Sequence, residues 1–291
     1  MCGVSTAPDA EYVLLLSCPD RRGIVATVTA LLFEHGANIE ESQQFDDVRT
    51  DQFFMRIRYS VGEGDVGADG WRERFAPVAT EYAMDWSVRD ARAPYRAVLM
   101  VSRFGHCLND LLFRWRSGAL NLEIPAVVSN HTDLEPLVAS YGIPFHHVPV
   151  TPETKADAEA RLRGLVAEHD VDLVVLARYM QVLSDDLATD LAGRVVNIHH
   201  SFLPSFKGAK PYHQAFERGV KLVGATAHYV TPALDEGPII EQDVVRADHR
   251  MTPEELVRAG EEVESRVLAR AVRWHCESRI LLNGTRTVVF S

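Results

Sequence analysis

Between residues 96 and 198 the chain alternates short apolar runs with amphipathic segments, and that alternation leaves few architectures open. Residues 96–102, 123–129, 145–148, 172–177 and 194–198 have the length and apolar character of strands. Residues 108–115, 134–141, 153–169 and 184–192 carry their apolar positions at helical spacing. Strands and helices that alternate in this way build a mainly parallel sheet covered on both faces. Ligands of such sheets bind outside the carboxyl ends of the strands, where the strand order reverses. The residues after Ala177 and Val196 are therefore marked as a site before any motif is considered.

The first part of the chain follows another pattern. Residues 12–18 read as a strand, and Ile24, Val28, Leu31 and Leu32 recur at helical spacing up to Gly36, which suits a helix C-terminus. Strands are expected over 38–46 and 51–60, a helix over 71–83 with Trp71, Phe75, Val78 and Tyr82 on one face, and a last strand over 85–89. This βαββαβ order is that of a ferredoxin-like unit. The expected organisation is a first domain over 8–89, a linker over 90–94 that ends at Pro94, and a second domain over 95–291. Charge follows the same division: residues 1–94 hold 9 basic and 16 acidic residues, the remainder 21 and 25. Near the C-terminus, Thr252-Pro253-Glu254-Glu255 is a capping box opening a helix to about Cys276, and Asn283-Gly284 between apolar runs signals a hairpin.

A net charge of −11 argues against non-specific binding of nucleic acid or of an anionic membrane. Cys2, Cys18, Cys107 and Cys276 have no C-x-x-C spacing, no apolar run reaches the length of a membrane span, and the N-terminus lacks signal-peptide order. A reducing, cytoplasmic setting is expected.

One segment is unlike core. The run Val195-Val196 empties into Asn197-Ile198-His199-His200-Ser201-Phe202-Leu203-Pro204, then into a loop with Lys207 and Lys210, two of only four lysines. Strand alternation puts Asn197 and His199 on one side and His200 elsewhere. An amide donor and an imidazole together can address a developing oxyanion, although the same residues also suit a turn cap and a hydrogen-bonded core histidine. Downstream, Asp235 stands between Leu234 and Glu236-Gly237-Pro238, where it is either an inward carboxylate or an Asx turn residue. An amide, an imidazole and a carboxylate suit acyl chemistry without a covalent intermediate. No His-x-x-x-His or clustered ligand set points to a metal, and Cys107 reads as a packed thiol rather than a nucleophile.

Asn197-Ile198-His199, Ser201-x-Leu203-Pro204, Lys207-Gly208-Ala209 and Leu234-Asp235-x-Gly237-Pro238 resemble the signature of the formyltetrahydrofolate-dependent formyltransferase superfamily over residues 95–291. Within it, the wording Asn-Ile-His-His-Ser-Phe-Leu-Pro, Pro211-Tyr212-His213-Gln214-Ala215 and Gly224–Val230 most resembles the deformylase branch. Cys18-Pro19-Asp20-Arg21-x-Gly23-Ile24-Val25 and Gly36-Ala37-Asn38-Ile39 resemble an ACT domain, a small regulatory module, and that domain order is the deformylase arrangement. The resemblance implies an N-terminal ferredoxin-like βαββαβ ACT domain followed by a Rossmann-like, mainly parallel α/β formyltransferase domain. It implies hydrolysis of 10-formyltetrahydrofolate, a substrate rather than a cofactor, to formate and tetrahydrofolate, supplying formate for purine synthesis and balancing the one-carbon folate pool.

Carried over by position, the catalytic trio falls on Asn197, His199 and Asp235, with His228 in support by orienting Asp235. Folate contacts fall on Arg178, Met180, Gln181, Leu183, Val230 and Thr231, and an amino-acid effector site on Asp20, Gly23 and Asn38. No metal is implied, and a homo-oligomer is. Where ribonucleotide transformylases carry a Gly-rich phosphate-binding loop, this chain has Ser102-Arg103-Phe104-Gly105-His106-Cys107, with one glycine and bulky neighbours. That departure favours water as acceptor over a glycinamide ribonucleotide. A non-catalytic amino-acid and folate sensor is the remaining alternative, and a transfer-RNA substrate is disfavoured by the acidic charge and the short segment after the capped helix.

Overall fold

The computed structural model describes residues 9–204 and 211–291. Two compact units emerge, Met1–Ala93 with Glu277–Asn283 and Val288–Ser291, and Pro94–Cys276 with Gly284–Thr287.

In the first unit, β1 (Ala10–Pro19), α1 (Ile24–Glu34), β2 (Asn38–Asp47), β3 (Gln52–Val61), α2 (Gly67–Tyr82) and β4 (Asp85–Asp90) form an antiparallel sheet in the order β2-β3-β1-β4. Period-2 alternation sends Tyr12, Leu14, Leu16 and Cys18 of β1 into one core with Ile24, Val28 and Leu32 of α1 and Trp71 and Phe75 of α2. Helix α2 starts at Gly67, four residues before the expected start at Trp71, and of residues 67–70 only Ala68 is apolar, too little for a periodicity argument.

The opposite sheet face takes Phe54 and Leu15, which lie against Leu281, Val288 and Phe290 from the end of the chain. Buried Arg56 donates to the carbonyls of Glu277 and Ser278, both at 3.0 Å, and pairs with Glu41 at 2.7 Å. The expected second domain of 95–291 thus loses most of its last fifteen residues to the first unit. The hairpin signal gave its turn but could not say which sheet would receive it.

The second unit contains β5 (Tyr95–Val101), α3 (His106–Arg116), β6 (Leu122–Glu123), β7 (Val127–Ser129), α4 (Glu135–Ser140), β8 (Phe145–His147), α5 (Lys155–Glu168), β9 (Leu173–Leu176), α6 (Asp185–Asp190), β10 (Val195–His199), α7 (Pro211–Glu217), β11 (Leu222–Tyr229), β12 (Ile239–Arg246) and α8 (Pro253–Cys276). The hairpin strands are β13 (Ile280–Asn283) and β14 (Arg286–Val289). The large sheet runs β12-β11-β10-β9-β5-β7-β8 with β6 beside β5; β5 to β10 are parallel, β11 and β12 antiparallel. The single strand expected over 123–129 is two strands, since Pro125 has no N–H to give the ladder. Helix α8 opens on the capping box: Thr252 N–H donates to Glu255 at 2.8 Å and Glu255 N–H to the Thr252 hydroxyl at 3.2 Å. From β5 the chain steps one way to β7 and β8, then returns to β9 on the other flank. The switch point therefore lies between β5 and β9. Among the described residues no helix is long and apolar enough to cross a membrane.

Candidate active site

A cleft of about 240 Å³ opens at the carboxyl ends of β9 and β10, walled on the far side by residues 230–235 after β11. Arg178, Met180, Gln181, Leu183, Val230 and Thr231 all line it, together with Asn197, His199, His228 and Asp235. Residues more than fifty positions apart meet here because β9, β10 and β11 are neighbours in the sheet.

Asp235 occupies the left-handed region with φ 56°, which Asp tolerates better than most residues. The conformation turns its carboxylate inward, where Oδ1 stands 3.2 Å from His199 Nδ1. That imidazole contact, more than anything else, holds the Asp235 carboxyl below the usual carboxylate range, against the opposing effect of burial. His199 is buried, and its Nε2 has no hydrogen-bond partner among the described residues. One nitrogen is thus committed to Asp235, and the other is unpaired among the described residues.

His228 does not hold Asp235 as expected, since their closest approach is 3.9 Å. It holds Asn197. His228 Nδ1 lies 2.9 Å from the Tyr229 carbonyl, and a carbonyl only accepts, so this nitrogen carries the hydrogen. Burial pushes the His228 pKa down and keeps the ring neutral. Nε2 must then accept, and the group 3.1 Å away is the Asn197 amide nitrogen. A backbone carbonyl on β11 thereby decides which way the Asn197 amide faces, leaving its second N–H for another acceptor.

His200 departs from the expectation that it points away. Strand β10 ends at His199, so alternation stops there, and the His200 ring stacks on His199 at 5.2 Å and lines the cleft. Burial, with Arg178 and His199 adding to it, lowers its pKa to about 4, so the ring is neutral at physiological pH. The adjacent His-His pair at a strand end was the available signal.

The loop after β5 is tied to the loop after β9. Ser102 N–H donates to the Arg178 carbonyl at 3.2 Å, Met180 N–H donates to the Ser102 hydroxyl at 2.9 Å, and that hydroxyl donates to Asn130 at 2.7 Å. Cys107 is fully buried, and burial pushes its thiol pKa well up, which disfavours the thiolate a nucleophile needs. His106, Cys107 and Glu264 place three potential ligand atoms within 4.8 Å of one another. As a metal site the set is poor: the thiol is held protonated and the Arg178 guanidinium lies 3.3 Å from the Glu264 carboxylate. Sequence reasoning missed Glu264, which sits mid-helix like any heptad acid.

The expected effector residues do not meet within one chain. Asp20 and Gly23 lie after the carboxyl end of β1, with Gly23 at φ 96° as the N-cap of α1. Asn38 opens β2 opposite Ser60, which itself pairs with Glu11 at the other end of β1. About eight strand steps, roughly 26 Å, separate the two ends. The reading of Lys207 and Lys210 lies outside the described residues.

A mainly parallel α/β sheet with an Asn-His-Asp cleft at its strand ends follows a βαββαβ unit, and comparison with known proteins matches both parts. The formyl transferase family matches residues 95–272 and the ACT domain family residues 12–68. A formyltetrahydrofolate deformylase of Corynebacterium sp. (strain P-1) is 53% identical over 279 residues, covering 96% of this chain and 98% of that one. That of Bacillus subtilis (strain 168) is 47% identical, covering 96% and 93%. The crystal structure of the deformylase from Burkholderia mallei ATCC 23344 superposes with a TM-score of 0.92 at 50% identity, covering 97% of this chain and all of that one. Glycinamide ribonucleotide transformylase 1 from Symbiobacterium toebii matches with a TM-score of 0.63 at 32% identity, covering 68% of this chain and 95% of that one. The chain belongs to the formyltetrahydrofolate deformylase family.

Proposed function

We infer that this chain hydrolyses 10-formyltetrahydrofolate to formate and tetrahydrofolate. Besides family membership, the observation that carries the mechanism is the buried His199, paired with Asp235 through Nδ1 and unpaired at Nε2 in the wall of the cleft. Water adds to the formyl carbon and gives its proton to the second oxygen of Asp235. His199, held through Nδ1 by Asp235, presents Nε2–H to the oxyanion, and the second amide hydrogen of Asn197 is the other donor. Collapse breaks the C–N10 bond, the His199 proton passes to N10, and the proton taken by Asp235 passes to His199 as formic acid leaves and ionises to formate. His228 is a positioning residue that sets the Asn197 amide. The six lining residues Arg178, Met180, Gln181, Leu183, Val230 and Thr231 are the proposed folate contacts.

The ACT domain supports binding of a small-molecule effector, proposed to be an amino acid. Because Asp20 and Gly23 stand at one end of the sheet and Asn38 at the other, a site using all three is proposed to form between two copies of the chain. The deciding assay is incubation with 10-formyltetrahydrofolate, with and without glycinamide ribonucleotide, following formate and tetrahydrofolate. Formate release without an acceptor is expected. Strict dependence on the ribonucleotide would establish a transferase, and ligand binding with no formate released would establish a sensor.

A further inference from the structure

The switch point between β5 and β9 is where an open sheet of this kind takes a ligand, yet the cleft does not extend over it. Its wall on that side is Arg178 and His200, and it reaches neither Phe104, His106, Tyr212 nor Glu264. Side chains from several elements meet there instead. Phe104 and His106 follow β5, and Arg178 follows β9 with φ 65°, its guanidinium 5.3 Å from the Phe104 ring centre.

Glu264 of α8 joins these residues. Only 1% exposed, it accepts from the Tyr212 hydroxyl at 2.7 Å, lies 2.7 Å from His106 Nε2, and pairs with Arg178 at 3.3 Å. The Tyr212 ring rests on the helix backbone one turn earlier, where a Cβ on Gly260 would fall 2.2 Å from it. A carboxylate taken this far out of water is costly unless donors surround it, and here three donors on three other elements do so. Those contacts hold the Glu264 carboxylate among side chains of its own unit, while the buried Arg178 Nε reaches it as an ion pair and makes no hydrogen bond among the described residues.

We propose that the Glu264, His106, Arg178 and Tyr212 network, with Phe104 over it, occupies the place of a formyl acceptor and restricts the reaction to water. The inference rests on the hydrolytic reading above. Were the crevice open, a primary amine could stand there. Its nitrogen would add to the formyl carbon, lose a proton and expel N10, which takes that proton, giving the N-formyl amine and tetrahydrofolate. No oxidant or further reactant is needed.

The test uses the full-length chain, 10-formyltetrahydrofolate and an excess of glycinamide, with formate and N-formylglycinamide both quantified. The wild type is expected to yield formate alone. The Phe104→Ala/His106→Gly double variant removes two side chains from the plug, and Glu264→Gln weakens it without loss of volume. In each, the share of formyl groups recovered as N-formylglycinamide is expected to rise by about tenfold or more, the discrimination one side chain typically carries in a pocket. A merely structural role would lower total turnover without moving this partition. Wild-type protein that formylates glycinamide readily overturns the proposal without any variant, and so do variants that still turn over but release only formate. Absence of formate from the wild type would instead be a failure of the hydrolase reading.

Discussion

Gly237 is the residue where backbone geometry most directly controls the chemistry. A Cβ placed on it would lie 1.7 Å from the Tyr229 carbonyl oxygen and 2.9 Å from its carbon, so both colliding atoms are backbone. Neither side can move alone, because Tyr229 N–H is bonded to the Pro238 carbonyl at 2.9 Å. Gly237→Ala must therefore open the contact by about 1.3 Å to reach even a tight approach, and overpacking of this kind costs about 1–3 kcal/mol. If the turn yields, Asp235, two residues away, leaves His199. If the Tyr229 carbonyl yields, His228 loses the acceptor that fixes its tautomer, and Asn197 loses its orientation. A misplacement of about 1 Å costs on the order of 100-fold in rate. We expect kcat for formate release to fall by about that factor, with far-UV circular dichroism unchanged. A variant whose kcat stays within about threefold of wild type would refute the idea that this contact positions the site.

Asn197→Asp and His199→Ala should each lower kcat by about 10² to 10³, the usual loss for one oxyanion donor, and near-wild-type turnover in either removes that residue from the mechanism. The Asp235 pKa is depressed in the folded chain, so its pairing with His199 contributes stability above the ordinary aspartate value of about 4, and that contribution is lost as pH falls through the folded value. The melting-temperature gap between wild type and Asp235→Asn should accordingly shrink from pH 7 towards pH 3; a constant gap contradicts the pairing. Arg56→Met leaves the Glu277 and Ser278 carbonyls without their donor, and a loss of about 2–3 kcal/mol in urea unfolding is expected, whereas no loss would mean the C-terminal segment is not held through Arg56.

Most of the secondary structure was legible because burial imposes a period. Tyr12, Leu14, Leu16 and Cys18 alternate, and Thr252 of the capping box announces α8 four residues before its first buried leucine, Leu256. The reading weakened where the chain itself stops being periodic. Residues 67–70 begin a helix with only Ala68 apolar, Pro125 breaks a strand that its neighbours favour, and α7 had no signal strong enough to separate it from the motif around it. At the site, Asn197, His199 and Asp235 stood out as polar residues at the ends of apolar runs. The partner of each did not, because hydrogen bonds across neighbouring strands depend on sheet order.

What the sequence determined by itself was therefore the list of elements and the candidate chemistry of Asn197, His199 and Asp235, which follow from local pattern, whereas the other cleft residues came from the family resemblance. Tertiary structure alone decided that His228 serves Asn197 rather than Asp235, that His200 joins the wall, and that the C-terminal strands cover the first sheet. It also decided that Glu264, unremarked on α8, meets His106, Arg178 and Tyr212. The reason is the same in each case: side-chain direction near a strand end and the pairing of distant elements are set by packing of the whole unit, and one residue's neighbours in the chain carry no record of it.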